Sequence, residues 1–409
     1  MTPVIQTLHQ NANHRPRKPP RSARIALNML AKLDSGQLSI TGPTGESWRF
    51  GNGDQTAAID LANWNVFNAS LRSGDIGFAE SYIRRDWSSD SLVNVLNLLV
   101  ANRAPLEQAI YGSWFGRLAH RITHLLNRNT KRGAKRNIHS HYDLGNDFYS
   151  LWLDPSMTYS SALFTSAQQT LEQAQAEKYQ RMLRQTGCAA GDKILEIGCG
   201  WGGFAQVAVQ AGLSVTGLTL SIEQQYYAQQ RLQGLEANTQ SNDVNFELRD
   251  YRDETGRFDG IVSIEMFEAV GQQYWPQYFE SIRRCLKPGG RAVVQTITID
   301  ESLFERYQGG TDFIQQYIFP GGMLPSIERF TEQAGKQGLI VVDQHTFGAD
   351  YAKTLRLWRN SFMSRLDEVQ QLGFDDRFIR TWEFYLAYCE AAFTGGNTNV
   401  CQFTLQTAD

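Results

Sequence analysis

The sequence predicts an α/β protein: an open, mostly parallel sheet covered by helices on both faces, preceded by a smaller mixed unit. Three observations carry this. After Asp192, apolar strand, turn and helix patterns alternate regularly, the order that lays helices over both faces of a parallel sheet. A glycine-rich turn, EIGCGWGG at 196–203, joins the first of those strands to a helical pattern. The 409 residues exceed what one hydrophobic core usually organises, so a second, smaller unit is expected.

Each element has its own basis. Residues 1–24 hold Arg15, Arg17, Lys18, Arg21 and Arg24 with several prolines and no acid, which predicts a flexible basic arm. From Ile25, the alternating stretches Leu38-Ser39-Ile40 and Trp48-Arg49-Phe50, then helical patterns near Leu61 and Leu92, predict a small mixed domain over 25–125. Between Arg103 and Arg136 eight Lys or Arg residues stand against one acid, Glu107. There Trp114, Phe115, Leu118, Ile122, Leu125 and Leu126 fall near helical spacing beside Arg117, Arg121 and Arg128. A helix lying on a membrane surface has this pattern, and so has an ordinary packed helix with its charges in water. A basic linker is expected at 126–140 and the main domain at 141–409. Its strands are expected at Lys193–Ile197, Leu213–Leu220, Val244–Leu248, Gly260–Ile264, Arg291–Ile297 and Leu339–Gln344, with Val400–Leu405 as an edge strand. Ligands of such sheets gather at the carboxyl ends of the strands.

Composition narrows the function classes. With 42% hydrophobic and 20% charged residues and a net charge of −3, the chain has no global pull toward nucleic acid. No uninterrupted apolar run of about 18 residues occurs, so a cytoplasmic protein with at most peripheral membrane contact is expected. Cys188, Cys199, Cys285, Cys389 and Cys401 lie far apart without metal-ligand spacing, which predicts reduced thiols and no metal.

The glycine turn predicts the cofactor. Gly198, Gly200, Gly202 and Gly203 let the backbone bend sharply and approach a ligand. Dinucleotide-binding enzymes use a related GxGxxG turn, so the glycines alone are not decisive. Glu196 places a carboxylate just ahead of them, where it suits the amino-acid part of S-adenosylmethionine; a pyrophosphate prefers bare amides. Ile197, Cys199 and Trp201 complete the loop. The second strand ends in GLTLSIEQQ, offering Thr219, Leu220, Ser221 and Gln224 for a ribose. The third ends at Asp250-Tyr251-Arg252, a carboxylate and a flat ring for adenine. Polar groups at successive strand ends are better explained by one cofactor than by separate helix caps. The expectation is a Rossmann-like S-adenosylmethionine-dependent methyltransferase.

With HYDLGNDFYSLWLD (141–154), MTYS (157–160), EIGCGWGG, GLTLSIEQQ, DYRD, MFEAVG (266–271), YIFPGGMLPS (317–326) and FGADYAKTL (347–355) in one collinear set, the chain resembles cyclopropane-fatty-acyl-phospholipid synthases and mycolic acid methyltransferases from about residue 25 to the end. The resemblance implies that Tyr159 and Ser160 join the cofactor site and that the N-terminal domain engages lipid. It implies methyl transfer to a cis double bond of a phospholipid acyl chain at the membrane surface, through a carbocation that loses a proton to a bound bicarbonate. A homodimer is a further implication. Ring faces and a dry pocket favour such a cation. Among the aromatic residues of the matching segments, Tyr351 and Tyr317 stand out.

The resemblance also implies an anion site, and here the sequence departs from it. Glu268, Ile297 (through its backbone) and Tyr351 fit the family pattern, but Ser161 stands where a cysteine is usual, Gln295 where a histidine is usual, and Ala269 makes MFEAVG of MFEHVG. Ser161 and Gln295 can still donate hydrogen bonds to an anion, although neither titrates like imidazole. Loss of a proton from the transferred methyl closes a cyclopropane; loss from the chain leaves a methyl-branched or methylene-bearing product. Ring closure is expected first, branching second, and a catalytically inactive lipid- or cofactor-binding protein is the alternative of another class. Cys389, in LAYCEAAF, matches a family cysteine, yet no activating base accompanies it.

Overall fold

The structure, a computed structural model, describes residues 18–110, 144–236 and 243–408. Most of the basic arm, the stripe from Trp114 to Leu126 and the linker at 126–140 lie outside the described residues. The last residues expected in the arm, 21–24, belong instead to a helix, Arg21–Leu30, with Ala23 fully buried.

The N-terminal unit contains a four-stranded sheet of β1 (Gln37–Thr41), β2 (Ser47–Gly51), β3 (Thr56–Leu61) and β4 (Trp87–Ser88), in the order β2-β1-β3-β4. Leu61 ends a strand whose burial alternates strictly, so the expected helix begins later, at Asn65. That helix, Asn65–Ile83, is kinked at Ser73 and Gly74, where Gly74 takes φ +59°. Just past the kink, half-buried Asp75 accepts hydrogen bonds from Phe313 N (3.1 Å) and Tyr388 Oη (2.9 Å). The N-terminal unit is thereby tied to two segments of the larger domain. Its apolar residues share one core with Trp152, Trp358 and Trp382, so no separate hydrophobic core divides the two parts.

The larger sheet has seven strands: β5 (Lys193–Ile197), β6 (Ser214–Thr219), β7 (Val244–Leu248), β8 (Phe258–Ile264), β9 (Leu286–Ile299), β10 (Leu339–Thr346) and β11 (Thr398–Thr407). Their order is β10-β11-β9-β8-β5-β6-β7. All are parallel to their neighbours except β11, which is antiparallel to both β9 and β10. The Val400–Leu405 run is therefore not an edge strand: it lies between β9 and β10, and its unbroken burial from Val400 to Leu405 is that of a strand covered on both faces. The edge is β10, whose exposed Ile340 and Val342 alternate with partly buried neighbours.

Register aligns the strand ends. Ile197 of β5 pairs with Leu218 of β6 and Ser263 of β8, and Ile264 of β8 pairs with Gln295 of β9. Glu196, Thr219, Glu265 and Gln295 consequently meet at one rim of the sheet. The helix Leu171–Thr186, closed by a Thr170–Gln173 capping box and a left-handed Gly187, packs beside this rim. An aromatic layer formed by Phe148, Tyr149, Trp152, Tyr159, Trp358 and Trp382 joins it to the C-terminal helices.

Candidate active site

At the carboxyl ends of the strands lies a cavity of about 340 Å³ that runs from the glycine loop to Glu265 and Glu268. The loop is shaped by backbone geometry. Gly198, Gly200 and Gly202 have φ of +82°, +51° and +79°, values that residues with a Cβ seldom adopt. The N–H groups of Gly198 and Cys199 both donate to Leu218 O at 2.9 Å, which pins the turn to β6. Trp201 Nε1 donates to Asn146 Oδ1 (2.7 Å), so the start of the short helix Asn146–Ser150 fixes the far side of the loop.

Most of the expected cofactor residues line this end of the cavity: Tyr159, Ser160, Glu196, Ile197, Gly198, Cys199, Gly200, Trp201, Thr219, Leu220, Gln224, Tyr251 and Arg252. Gly202 and Ser221 do not; Gly202 precedes the helix Gly203–Gln210, and Ser221 Oγ accepts from Gln224 N. Glu196 is buried, and its Oε2 has no hydrogen-bond partner. Burial raises its pKa well above the usual carboxylate range. A desolvated carboxylate with one oxygen unpartnered suits a cationic ligand, which fits the ammonium and sulfonium of S-adenosylmethionine. Asp250 is engaged by Arg252 at 2.5 and 2.8 Å, leaving the ring of Tyr251 as the flat surface at this end.

The opposite end of the cavity is built around a residue that the sequence reading passed over. Glu265, immediately after β8, is half-buried and has φ +50°. Its Oε1 accepts from Ser161 N (2.8 Å) and Gln295 Nε2 (2.8 Å), and its Oε2 accepts from Tyr351 Oη (2.5 Å). These are three of the groups expected to hold a bicarbonate. Here these donors surround the Glu265 carboxylate, and Ser161 contributes its backbone N–H rather than its hydroxyl, which donates to Ala162 O.

Gln295 is oriented by a chain of bonds with a fixed direction. Arg181, which can only donate, gives a hydrogen bond to Gln402 Oε1 (2.7 Å), and Gln402 Nε2 gives one to Gln295 Oε1 (2.9 Å). Gln295 therefore presents its amide N–H to Glu265. Lys178, fully buried, donates to Ser160 Oγ (2.6 Å) and Gln175 Oε1 (2.7 Å). Burial lowers its pKa to about 7, partly offset by the charges of Glu265, Asp154 and Glu196.

Glu268 lies in the same cavity wall. Its Oε1 accepts from Ile297 N (2.5 Å), the backbone group expected at the anion site, and its Oε2 has no partner. Burial, then the charge of Glu265, pushes its pKa up to about 8. Both oxygens of Glu265 accept hydrogen bonds whereas Oε2 of Glu268 has none, and the Glu265 charge raises the pKa of Glu268, which favours the ionised form at Glu265 and the protonated form at Glu268.

Two expected residues are placed differently. Tyr317 is 37% exposed and donates to Glu80 Oε1 (2.5 Å) on the kinked N-terminal helix, outside the cavity lining, so it joins the two units and takes no position at the reacting centre. Cys389 does line the cavity beside Tyr388 and Asp312, but burial raises its thiol pKa strongly and disfavours a nucleophilic thiolate. Among the described residues no cluster of His, Cys, Asp and Glu could hold a metal.

Residues 129–403 match the family described as mycolic acid cyclopropane synthetase. The chain belongs to this family. It is 41% identical, over 82% of its length and 79% of the relative's, to the tuberculostearic acid methyltransferase UfaA1 of Mycobacterium tuberculosis. It is 36% identical to the cyclopropane-fatty-acyl-phospholipid synthase of Escherichia coli, over 86% of this chain and 88% of that one. Among solved structures, mycolic acid cyclopropane synthase CmaA1 complexed with SAH and CTAB superposes with a TM-score of 0.62 at 33% identity, covering 67% of this chain and 98% of that one. The protein is thus an S-adenosylmethionine-dependent methyltransferase of the cyclopropane synthase family, and its sheet is the Rossmann-like one expected. No helix among the described residues is long and apolar enough to cross a membrane.

Proposed function

We propose that this enzyme transfers the methyl group of S-adenosylmethionine to a cis double bond of a phospholipid acyl chain, and that the methylated chain loses a proton without closing a ring. The observation that carries the first part is the single cavity that joins the glycine loop to Glu265 and Glu268 through apolar and aromatic walls, including Leu355, Phe319, Phe393 and Tyr385. Such walls accept an acyl chain and exclude water from a cation. When bound, S-adenosylmethionine supplies the electrophilic methyl. The protein's own residues hold it at the loop, with Glu196 as the counter-charge, and keep Glu265 ionised opposite. Reaching an acyl chain requires contact with the lipid surface, for which the N-terminal unit is the proposed platform, with the enzyme peripheral at the cytoplasmic face and dimerisation as a further expectation.

The choice of product rests on the 41% identity to a protein named as a tuberculostearic acid methyltransferase. Ring closure is the second reading. It is supported by the retained Glu268 and Tyr351 and by the 36% identity to a phospholipid cyclopropane synthase. Purified enzyme with S-adenosylmethionine and vesicles of dioleoyl phosphatidylglycerol is expected to add one CH₂ per modified chain, read by mass spectrometry. Proton NMR of the product is expected to show a branched alkene; upfield cyclopropane signals would establish the second reading. No mass gain on unsaturated vesicles, with S-adenosylmethionine binding intact, would refute both.

A further inference from the structure

We infer that Glu265 is a built-in replacement for a bound bicarbonate, accepting the proton that the methylated chain releases. The inference deepens the proposed function and takes from it only the acyl-chain substrate.

The argument starts with occupancy. Ser161 N, Gln295 Nε2 and Tyr351 Oη converge on one carboxylate, at 2.8, 2.8 and 2.5 Å. A bicarbonate needs those same donors and would bring a second negative charge against Glu265 in a buried site, where like charges cannot both persist. The anion does not fit.

Backbone geometry gives an independent reason. Glu265 is one of only three described non-glycine residues with positive φ, the others being Arg85 and Met157. A conformation that costs a residue with a Cβ free energy persists where the side chain has a task there. Gly198 of the adjacent strand end is a true glycine, so the chain uses glycine at this rim where only backbone shape is required.

The surroundings suit a proton acceptor. The relay Arg181–Gln402–Gln295 runs in one direction only and ends as a donor on Glu265, which favours the charged form before the reaction. Burial works the other way and raises the pKa, so the carboxylate is a stronger base than one in water. In the step itself a C–H bond of the cationic chain breaks and its electron pair forms the new carbon–carbon π bond. The proton passes to a Glu265 oxygen and returns to solvent before the next turnover. Ring closure would use the same acceptor, with the electron pair forming a σ bond.

Glu265→Gly is the decisive variant. Glycine adopts φ +50° readily, so the fold is retained, while the three donors lose their carboxylate. In carbonate-free buffer the wild-type enzyme is expected to keep full activity and the variant to lose about 10³-fold in kcat. Formate or bicarbonate is expected to restore part of the variant's activity and leave the wild type unchanged. A second readout needs no substrate: bicarbonate is expected to raise the melting temperature of the variant, on the order of 2 °C, and not that of the wild type. The inference is overturned if bicarbonate stabilises the wild type, if its removal stops wild-type turnover, or if Glu265→Gly stays fully active. If wild-type enzyme shows no methylation of acyl chains, the proposed function fails and the bicarbonate-binding comparison still decides the role of the site.

Discussion

The two ends of the cavity are built by different means. At the cofactor end, one local segment does most of the work: three glycines with positive φ, a strand before them and a helix after, all within 193–210. At the acid end no segment suffices. Glu265 follows β8, Gln295 is on β9, Gln402 on β11, Arg181 and Lys178 on the helix Leu171–Thr186, and Tyr351 on the helix Gly348–Met363. A site made by backbone shape depends on a few irreplaceable glycines. A site made by convergence depends on the order of strands that brings distant side chains together, and tolerates new donors when one residue changes.

The largest effect that tests this contrast is at Gly198. A valine there would have to take φ +82°, with its Cβ 3.0 Å from the Met266 side chain. Gly198→Val is expected to weaken S-adenosylmethionine binding by about 100-fold or more, given strain of about 1–3 kcal/mol at the residue and the displaced loop. Isothermal titration measures it. Retained affinity would show that the loop is less dependent on its glycines than its geometry indicates.

Next in size is Gln402→Met, at the acid end and outside the cavity lining. It removes the bond that fixes the orientation of Gln295 and leaves the cofactor end intact. We expect kcat to fall about tenfold, the cost of one mis-set polar contact, with the affinity for S-adenosylmethionine unchanged. The pH–rate profile should shift as well, because Glu265 loses a donor that holds it ionised. A loss confined to stability, with an unmoved profile, would reduce the relay to a packing feature.

This contrast also explains what could be read from the sequence. The strands, the glycine turn and the ends of β5, β6 and β7 were legible because period and turn chemistry are local signals. The interior position of β11 was not, because an apolar run of six residues fits an edge strand or a covered one equally well. Glu265 stood in plain view in IVSIEMFEAVG, three residues before Glu268. What hid it was that its partners are 30 to 104 residues away. Lys178 reads as one more charge on a polar helix until its complete burial is known. Tyr317 was misplaced for the opposite reason: its motif is local, but its hydroxyl is claimed by Glu80 of the N-terminal unit.

Stability against pH sets the acid end apart once more. Glu268 titrates near 8 against an ordinary value of 4.5, and Asp312 near 7 against 3.8. Both bind a proton more tightly in the folded chain, so their contribution is complete below the unfolded values. It is lost as pH rises toward 7 for Asp312 and 8 for Glu268, at up to about 1.4 kcal/mol per pH unit for each group. Lys178, lowered to about 7, begins to act in the opposite direction only above that pH. The melting temperature of the cofactor-free enzyme should therefore fall between pH 5 and 7, and Glu268→Gln should flatten the slope. A variant with the wild-type slope would place the raised acid elsewhere.

The smallest effect is expected at Cys389, which shares the cavity with Glu265 and none of its chemistry. A thiol acts as a nucleophile only as thiolate, and burial together with the nearby Asp312 charge pushes this one far toward the neutral form. Among the described residues, neither a histidine nor a lysine is among the causes that shift it. Removing a small, half-buried group that only packs costs contact area, so Cys389→Ala should change kcat less than about twofold and act mainly on KM by enlarging the acyl-chain space. Alkylation is the sharper comparison. A bulky reagent should react only slowly with the neutral Cys389 thiol and, once attached, should block wild-type turnover by filling the cavity, while the alanine variant stays active and resists the reagent. Loss of kcat by more than about 10³-fold in Cys389→Ala would instead assign the thiol to the reaction and move the chemical centre away from the Glu265 rim.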